Sequence, residues 1–453
     1  MTRRPLPRPQ PLDPRSSPPC DRPGPTRRTA LLGLPLGVLG AGALASCGPN
    51  ASSGGEDGDD ASLRFTWWGN TDRAATTQQV IDLFVAEHPE IAVSVEPGNI
   101  AGYFDKLATS VVAGDEPDVI TMGGAYPAEY AARDVLLDLG SVSAQLDLSG
   151  MDEVARSNGQ VDGTQVAVTT GINAPGMIVN RAVLEAAGVE MPDPESWTWE
   201  DFAEAARAVS ESSEEGVYGS GTVFTHDSLD LWARQGGQIL YTEDGEIGVD
   251  VETVASFFAF SKELVDSGAS PGAEELVELT DVGPEQTLIG RGAAAFMLTW
   301  SSSLTPLADA SGEELEIVKV PGESRETGVW LQSSQLYTIS ARTAAPEAAA
   351  TFVDFLVNSP EAGKLILTDR GVPAVEAVRQ AILPELTDSA RREVEYISAL
   401  GAMELKPTWI GPAGSTAVAE ITPRHQSTVL FGDATAQEAA QAWHDEAVAA
   451  VAS

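Results

Sequence analysis

Cysteine is nearly absent from this chain of 453 residues, which contains only Cys20 and Cys47. Residues 48–453 contain no cysteine, so they can form neither an internal disulfide nor a metal site built from cysteine ligands. Histidine is also scarce, and the four imidazoles show no metal-ligand spacing; they are His88, His226, His425 and His444. We accordingly expect no metal and no cofactor.

Basic residues are few, with 27 Lys and Arg against 67 Asp and Glu, for a formal net charge of −40. Removing the seven Arg and two Asp of residues 1–46 makes the remainder more acidic, at −45. Nucleic acid and anionic lipid surfaces are bound by clustered positive charge, so neither is an expected partner. Solubility explains the acidic excess, which by itself predicts no acidic binding patch.

The common catalytic motifs are also missing. The chain has no His-Glu-x-x-His, no Gly-x-Ser-x-Gly, no Walker loop and no Gly-x-Gly-x-x-Gly after a strand. We therefore expect a binding protein and not an enzyme. Carboxylate pairs abound in so acidic a chain, and composition alone leaves a secreted polysaccharide hydrolase open as an alternative.

No apolar run is long enough to span a bilayer, but residues 1–46 have the pattern of a signal peptide. A twin-arginine pair, Arg27-Arg28, precedes an apolar run that ends in Leu44-Ala45-Ser46-Cys47, which resembles a bacterial lipobox. We predict that Cys47 is acylated, with a buried structural cysteine as the alternative. Residues 47–62 then form the lipidated end and a flexible tether, which places the protein outside the cytoplasmic membrane on a lipid anchor. Both the Tat and the Sec export routes fit.

The first ordered segment is an alternating apolar run, Leu63-Arg64-Phe65-Thr66-Trp67-Trp68-Gly69-Asn70. Alternation predicts a β-strand in which Trp67 points into the core and Trp68 points into a ligand cleft. A flat ring at a cleft can stack on the apolar face of a ligand. The alternative is that both rings are core.

Helical and strand patterns alternate after this first strand. They predict helices over residues 71–89 and 103–112 and strands over 91–95 and 119–122. Such alternation indicates a parallel sheet, whose carboxyl-end loops are the usual place for ligands. Asn70 and Tyr126 both fall on such loops, so we predict that both contact the ligand.

Short motifs follow one another in a fixed order over nearly everything after residue 62. In chain order they are Trp67-Trp68-Gly69, Phe84 to Pro89, Tyr103 with Lys106-Leu107, Ala113-Gly114 with Pro117-Asp118-Val119-Ile120, Asp162-Gly163, Asn173 with Asn180-Arg181, Ala187-Gly188-Val189 with Pro192, Trp197-Thr198-Trp199-Glu200-Asp201-Phe202, Gly236-Gly237, Gly290-Arg291-Gly292-Ala293-Ala294 with Met297, Ala348-Ala349-Ala350-Thr351-Phe352, and Asp369-Arg370-Gly371-Val372-Pro373. This order resembles the family 1 extracellular solute-binding proteins of ABC importers, and it is most similar to their carbohydrate-binding members.

The resemblance implies a periplasmic-binding-protein-like type II fold, in which a hinge joins two α/β lobes with a ligand cleft between them. We expect residues 63–173 and 317–357 in lobe 1, and residues 174–316 and 358–453 in lobe 2. The implied function is capture of a sugar or oligosaccharide and its delivery to the ABC permease subunits, by a protein that acts as a monomer. A receptor for another solute (peptide, polyamine or metal) is the alternative.

Several ligand contacts are also implied by the resemblance. Asn173 lies at the first crossing between lobes, where a turn-capping role is the alternative. His226 and Asp227 match a ligand-contact loop before a helix, where Asp227 or Ser228 as a helix cap is the alternative. A buried strand over 293–300 delivers Trp300 to its carboxyl end as a sugar platform, and Trp409 lies near a late aromatic contact of the family.

The loop from Trp330 to Gln335 combines an aromatic ring with four hydrogen-bonding side chains. Sugar recognition needs amides and hydroxyls beside a flat ring, because every sugar hydroxyl taken from water must find a new partner. We therefore predict ligand contacts for Trp330, Gln332 and Ser333. A solvated hairpin is the alternative.

Overall fold

The computed structural model describes residues 61–100, 102–124, 126–151, 153–280, 282–403, 405–406, 411–412 and 414–452. All of these belong to one compact unit that spans residues 58–453. The signal peptide, Cys47, most of the tether and Trp409 lie outside the described residues. Predictions made for those positions are therefore not addressed by the structure.

Strands and helices alternate through the described residues. The strands are β1 (Ala61–Trp68), β2 (Ile91–Gly98), β3 (Val119–Met122), β4 (Gln160–Val161), β5 (Thr164–Gln165), β6 (Ala167–Thr169), β7 (Ile172–Asn173), β8 (Pro175–Asn180), β9 (Tyr218–Ser220), β10 (Ala294–Trp300), β11 (Leu315–Val318), β12 (Gln332–Ser333) and β13 (Leu336–Ile339). The α-helices are α1 (Thr71–Glu87), α2 (Tyr103–Ala113), α3 (Tyr126–Ala131), α4 (Glu153–Ser157), α5 (Arg181–Ala187), α6 (Trp199–Ser212), α7 (His226–Gln235), α8 (Val251–Asp266), α9 (Ala273–Glu278), α10 (Leu304–Ser311), α11 (Pro346–Asn358), α12 (Pro360–Ile366), α13 (Glu376–Ile382), α14 (Asp388–Gly401), α15 (Ser415–Leu430) and α16 (Ala436–Val451). Short 3-10 helices cover Leu139–Val142, Pro284–Gln286, Ile289–Arg291, Ser301–Ser303 and Leu383–Glu385.

The first sheet has the strand order β2-β1-β3-β13-β6. Strands β2 and β3 run parallel to β1, and β13 runs antiparallel to both β3 and β6. Alternate residues of β1 point into the core, as predicted, and Trp67 is 2% exposed. Phe65 packs edge-on against Phe352 of α11, with 5.3 Å between ring centroids. This contact fastens a helix to the sheet and defines the core of the first lobe.

The second sheet has the order β11-β8-β10-β9. Its central strand β8 runs antiparallel to β10 and β11, and all six β8 residues are buried. Helix α6 begins in a full capping box, in which the Thr198 hydroxyl accepts from the backbone N–H of Asp201. Trp197, directly before this cap, is buried, and its indole N–H donates to the Lys319 carbonyl.

The chain crosses between the two sheets at two adjacent points. Strand β7 follows β6 of the first sheet and precedes β8 of the second, while β12 lies between β11 and β13. These two crossing strands pair antiparallel, with Asn173 opposite Gln332. The pair forms the hinge between the lobes. A third crossing lies between α13 and α14.

Residues 360–382 pack on the first lobe, which corrects the predicted boundary at residue 358. Arg73 of α1 forms an ion pair with Asp369 at 2.8 Å. The buried Arg370 donates to the hydroxyl of Tyr337 on β13 and to the hydroxyl of Thr77 on α1. Such contacts are long-range in sequence, so no local pattern could reveal them. We assign α12 and α13 to lobe 1, and lobe 2 resumes with α14.

The predicted start of the returning segment at residue 317 is also wrong. Strand β11 pairs with β8 over the register from Leu315 opposite Asn180 to Val318 opposite Met177, so it belongs to the second sheet. An alternating run identifies a strand but not the sheet that it joins. The chain returns to lobe 1 only through β12.

Most predicted elements are confirmed, including the helix over α1, the strand β3 and the strand that ends at Trp300. Among the described helices, none combines the length and the hydropathy needed to cross a bilayer.

We expect Arg370→Ala to lower the free energy of unfolding by about 2 to 4 kcal/mol, because a buried guanidinium with two hydroxyl partners is lost. Urea denaturation measures the change. The control is Arg207→Ala, because Arg207 is 46% exposed and pairs only with Glu211 of its own helix. Equal effects of the two substitutions would contradict the assignment of residues 360–382 to the first lobe's core.

Candidate ligand-binding cleft

A cavity of about 430 Å³ lies between the two lobes. Both lobes contribute to its lining. The lining residues are Trp68, Ile100, Phe104, Gly123, Gly124, Tyr126, Asn158, His226, Asp227, Asp230, Leu240, Tyr241, Trp330, Gln332, Ser333, Ser334, Leu336, Gly411, Ser415, Thr416, Ala419 and Glu420. This volume lies within the range typical of small-molecule sites.

Aromatic rings form the first-lobe wall. Trp68 stands at the carboxyl end of β1 and packs against Tyr103 and Phe104, with ring centroids 5.2 and 5.5 Å away. Phe104 stacks face to face on Tyr126, with 3.4 Å between centroids. Because each ring is held by another, this wall presents a preformed flat surface to the cavity.

The second-lobe wall begins at the N-terminus of α7. Thr225 caps this helix in a capping box with Ser228, so the first turn projects His226 and Asp227 towards the cavity. The His226 imidazole lies 3.2 Å from the Asp227 carboxylate. Burial raises the pKa of Asp227, His226 lowers it, and the neighbouring carboxylate of Asp230 raises it further.

The floor of the cavity is built on Trp330, which is 2% exposed. Its indole N–H donates to the side-chain carbonyl of Gln332 at 2.7 Å, which orients the amide. The Arg234 guanidinium lies 4.9 Å from the Trp330 ring centroid and forms a buried ion pair with Asp230 at 2.8 Å. The ion pair of Arg234 and Asp230 thus lies beneath the Trp330 ring and fixes it.

Helix α15 closes the remaining side. The hydroxyl of Thr416 donates to the carboxylate of Glu129 at 2.5 Å, and this bond joins α15 of the second lobe to α3 of the first. The Tyr241 hydroxyl donates to the Ser415 carbonyl at 3.4 Å. The buried Ser415 hydroxyl finds no hydrogen-bond partner within the described part of the chain.

A second cavity, of about 440 Å³, continues the cleft into the second lobe. Four residues line both cavities: His226, Asp227, Ala419 and Glu420. Trp300 lies on the wall of the second cavity, at the end of β10, and its ring meets Trp330 edge-on at 5.7 Å. The two cavities therefore adjoin each other at these four residues.

The structure brings together most of the residues predicted as ligand contacts. On the wall of the cavity between the lobes lie Trp68, Tyr126, His226, Asp227, Trp330, Gln332 and Ser333. Trp300 lines the adjoining cavity, and Trp409 lies outside the described residues. The structure positions these side chains at the cleft, and their contact with a ligand stays a prediction.

Two predicted contacts lie elsewhere. The side chain of Asn70 accepts the backbone N–H of Arg73 at 2.9 Å and so caps α1. Asn173 is buried at the hinge, where its side-chain oxygen accepts from the Ser301 hydroxyl at 2.7 Å and from the Ser302 N–H at 3.1 Å. In both cases the side-chain amide oxygen accepts a hydrogen bond from a backbone N–H near a turn. For Asn173 the capping alternative is therefore the better description.

Several lining residues carry no signal in the sequence that would have singled them out; they are Phe104, Asn158, Asp230, Tyr241 and Glu420. They sit inside ordinary helical or loop patterns, and only the packing of the lobes brings them together. Ser415 is different, because the glycine-rich segment before it ends at a helix start, which is a signal for a loop facing a cleft.

The cleft offers flat rings, amides, hydroxyls and carboxylates. Among the described residues, no group of three or more His, Cys, Asp and Glu side chains is arranged to hold a metal ion. Stacking combined with hydrogen bonding is the chemistry available to this arrangement.

Residues 79–392 match the family model described as bacterial extracellular solute-binding protein. A putative ABC transporter periplasmic-binding protein, YcjN of Escherichia coli K12, is 24% identical over 375 residues, which cover 80% of this chain and 82% of that one. The Listeria monocytogenes ABC substrate-binding protein Lmo0181, solved with cycloalternan, aligns at TM-score 0.73 and 23% identity over 86% of this chain and 98% of its own. A Yersinia enterocolitica oligogalacturonide-binding protein, solved with digalacturonic acid, aligns at TM-score 0.75 and 22% identity over 86% and 99%. These structures confirm the predicted two-lobed α/β fold.

Removing the bond between the lobes should loosen the mouth of the cleft. We expect amide exchange at the start of α15 to be about fivefold faster in Glu129→Ala, because one hydrogen bond contributes about 1 kcal/mol to the closed arrangement. Hydrogen–deuterium exchange without ligand measures this. Glu185→Ala, on the exposed face of α5, is the matched control. Identical exchange in the two variants would show that the bond does not hold the lobes together.

Proposed function

The chain belongs to the bacterial extracellular solute-binding proteins, and we propose that it captures an oligosaccharide between its two lobes and delivers it to the permease of an ABC importer. The observation that carries this proposal is the cavity between the lobes, where aromatic rings stand beside amides and hydroxyls. Trp68 and Tyr126 offer flat faces, while Gln332, Ser333 and Ser415 offer hydrogen-bonding groups. A sugar ring has one apolar face and a rim of hydroxyls, and it needs both kinds of contact.

The named ligands of the structural relatives support a sugar. Lmo0181 was solved with cycloalternan, and the Yersinia protein was solved with digalacturonic acid. The Escherichia coli relative is named as the periplasmic-binding component of an ABC transporter. These names support the class of ligand and the partner, and the chemistry of the cleft supports them independently.

The size of the cleft favours an oligosaccharide over a single sugar. The second cavity adds a comparable volume and its own ring, Trp300, to the cavity between the lobes. A ligand that occupied both would stack on Trp300 and on the first-lobe rings. It would also pass His226 and Asp227, which line both spaces.

Delivery follows from closure of the lobes. The rings of Trp68 and Tyr126 belong to the first lobe, and Asp227 and Trp300 belong to the second, so a ligand that contacts all four is buried only when the lobes close. A ligand shifts an open–closed equilibrium by its differential affinity for the closed state. The closed state is then the form that the permease recognises.

The family is a solute-binding transport family, and we infer that the bound sugar is released unchanged. The predicted lipidation fits the same role. Acylated Cys47 would hold the protein at the outer face of the membrane, and residues 48–62 would give the two lobes reach to a permease. We infer that the protein acts as a monomer.

A screen of residues 48–453 against mono- and oligosaccharides tests the function. A ligand that binds only the folded state raises the unfolding midpoint in proportion to the logarithm of its excess concentration. We expect Trp300→Ala to weaken the best binder about tenfold, since stacking and burial are both lost, and Trp300→Phe to weaken it much less. Calorimetry measures both affinities. Unchanged affinity in a folded Trp300→Ala variant would contradict the proposed ligand position.

Lipidation is tested on the native protein. We expect mass spectrometry of the membrane fraction to find a mature chain that starts at an acylated Cys47. Cys47→Ala should abolish the lipid and leave the protein unanchored. Recovery of a chain with an unmodified Cys47 from the membrane would overturn the prediction.

A further inference from the structure

The walls of the cleft carry negative charge without a neighbouring positive wall. Three carboxylates line it, those of Asp227, Asp230 and Glu420, and no described residue that lines either cavity is Lys or Arg. Every Lys and Arg after residue 60 belongs to the described residues. The one remaining basic side chain among the described lining residues, the His226 imidazole, lies 3.2 Å from the Asp227 carboxylate.

The cations closest to the floor are engaged by protein groups. Arg234 lies beneath Trp330 in its ion pair with Asp230. Lys406 pairs with Glu326 at 2.5 Å and donates to the Arg234 carbonyl at 3.2 Å. A ligand carboxylate in the cavity would have to displace one of these bonds, or the contact of His226 with Asp227, to reach a basic partner.

Two helix N-termini face the cleft, and a helix N-terminus ordinarily attracts anions. Both already have a carboxylate. Asp227 lies in the first turn of α7, and Glu129 accepts a hydrogen bond from Thr416 in the first turn of α15. The favourable positions for a ligand anion are thus occupied by the protein itself.

An independent observation at the same wall is a buried hydroxyl without a hydrogen-bond partner among the described residues. Ser415 is 4% exposed and lines the cavity, yet its hydroxyl is unpartnered within the described residues. Buried hydroxyls are nearly always hydrogen-bonded, so a ligand group is the natural partner. A neutral hydroxyl can donate or accept a hydrogen bond, and it brings no positive charge to the site.

We propose that the cleft selects oligosaccharides without acidic groups, and that an amine on the ligand strengthens binding by facing Asp227 and Glu420. This inference rests on the proposed function and adds the charge class of the ligand. A uronic acid or sugar phosphate would be buried beside carboxylates and without a cation. Leaving a charge buried and unpaired costs more than any single hydrogen bond repays.

The electrostatics of neighbouring groups agree. Burial raises the pKa of Tyr126, and the carboxylates of Glu129 and Glu420 raise it further, although Glu420 lies on the opposite lobe. Glu420 therefore lies close enough to Tyr126 to act on the first-lobe wall across the cleft.

The first experiment compares three arms of equal chain length: neutral galacto- and gluco-oligosaccharides, glucosamine oligosaccharides, and oligogalacturonates including digalacturonic acid. We expect the largest rise in unfolding midpoint from a neutral or amino sugar and no rise from any uronate. A uronate that gives the largest rise would overturn the charge rule and leave the sugar-binding function standing. If no sugar in any arm raises the midpoint, both the function and the charge rule are wrong.

The second experiment removes one charge. Glu420 is exposed and has no hydrogen bond or ion pair to any described residue, so Glu420→Gln should fold normally. We expect affinity for the amino sugar to fall about two- to fivefold more than affinity for its neutral counterpart, as for the loss of an exposed ion pair. Glu204→Gln, on exposed α6, is the matched control and should change neither affinity. Equal losses of affinity for the amino and neutral sugars in Glu420→Gln would show that this carboxylate does not discriminate between ligands by charge.

Discussion

The pairing of the two crossing strands, β7 and β12, is the constraint on which the cleft depends. It is only two residues long, with Asn173 opposite Gln332 and Ile172 opposite Ser333. Asn173 then uses its side-chain oxygen to hold the segment after β10. A hinge this short can bend without breaking either sheet. Because Trp330, Gln332 and Ser333 lie in or beside it, the groups of the cleft floor are placed by the same strands that let the lobes move.

The two walls are built by different means. The first-lobe wall is a stack of aromatic rings that fix one another, so it is rigid before a ligand arrives. The second-lobe wall is made from helix starts, where Asp227 and Ser415 project from first turns. In the proposed complex, the rings contact the apolar face of the sugar and the polar groups of the first turns contact its rim. Sharing the contacts between lobes converts binding into closure, which is the change that a membrane partner can detect.

Much of this arrangement could be predicted from the sequence, because it rests on local patterns. Alternation identifies β1 and the burial of Trp67, and the order of motifs indicates the family. The differences have separate physical causes. The second half of β11 and residues 360–382 lie in the other lobe from the predicted one, because long-range pairing, such as that of Arg370 with Thr77, leaves no trace in a local pattern. The sequence also predicts ligand contacts at Asn70 and Asn173, which act as caps in the structure, because an amide at a strand end looks alike whether it serves a ligand or the backbone. The charge of the cleft was missed because the acidic excess of the whole chain concealed which carboxylates face inward.

The central claim is that a sugar binds between the lobes and draws them together. Small-angle X-ray scattering of residues 48–453, titrated with the sugar that most raises the unfolding midpoint, tests it most directly. The account predicts a decrease in the radius of gyration that saturates with the same concentration dependence as binding, since closure and burial of the ligand are one event. A radius of gyration that stays constant while the sugar binds at full occupancy would contradict it.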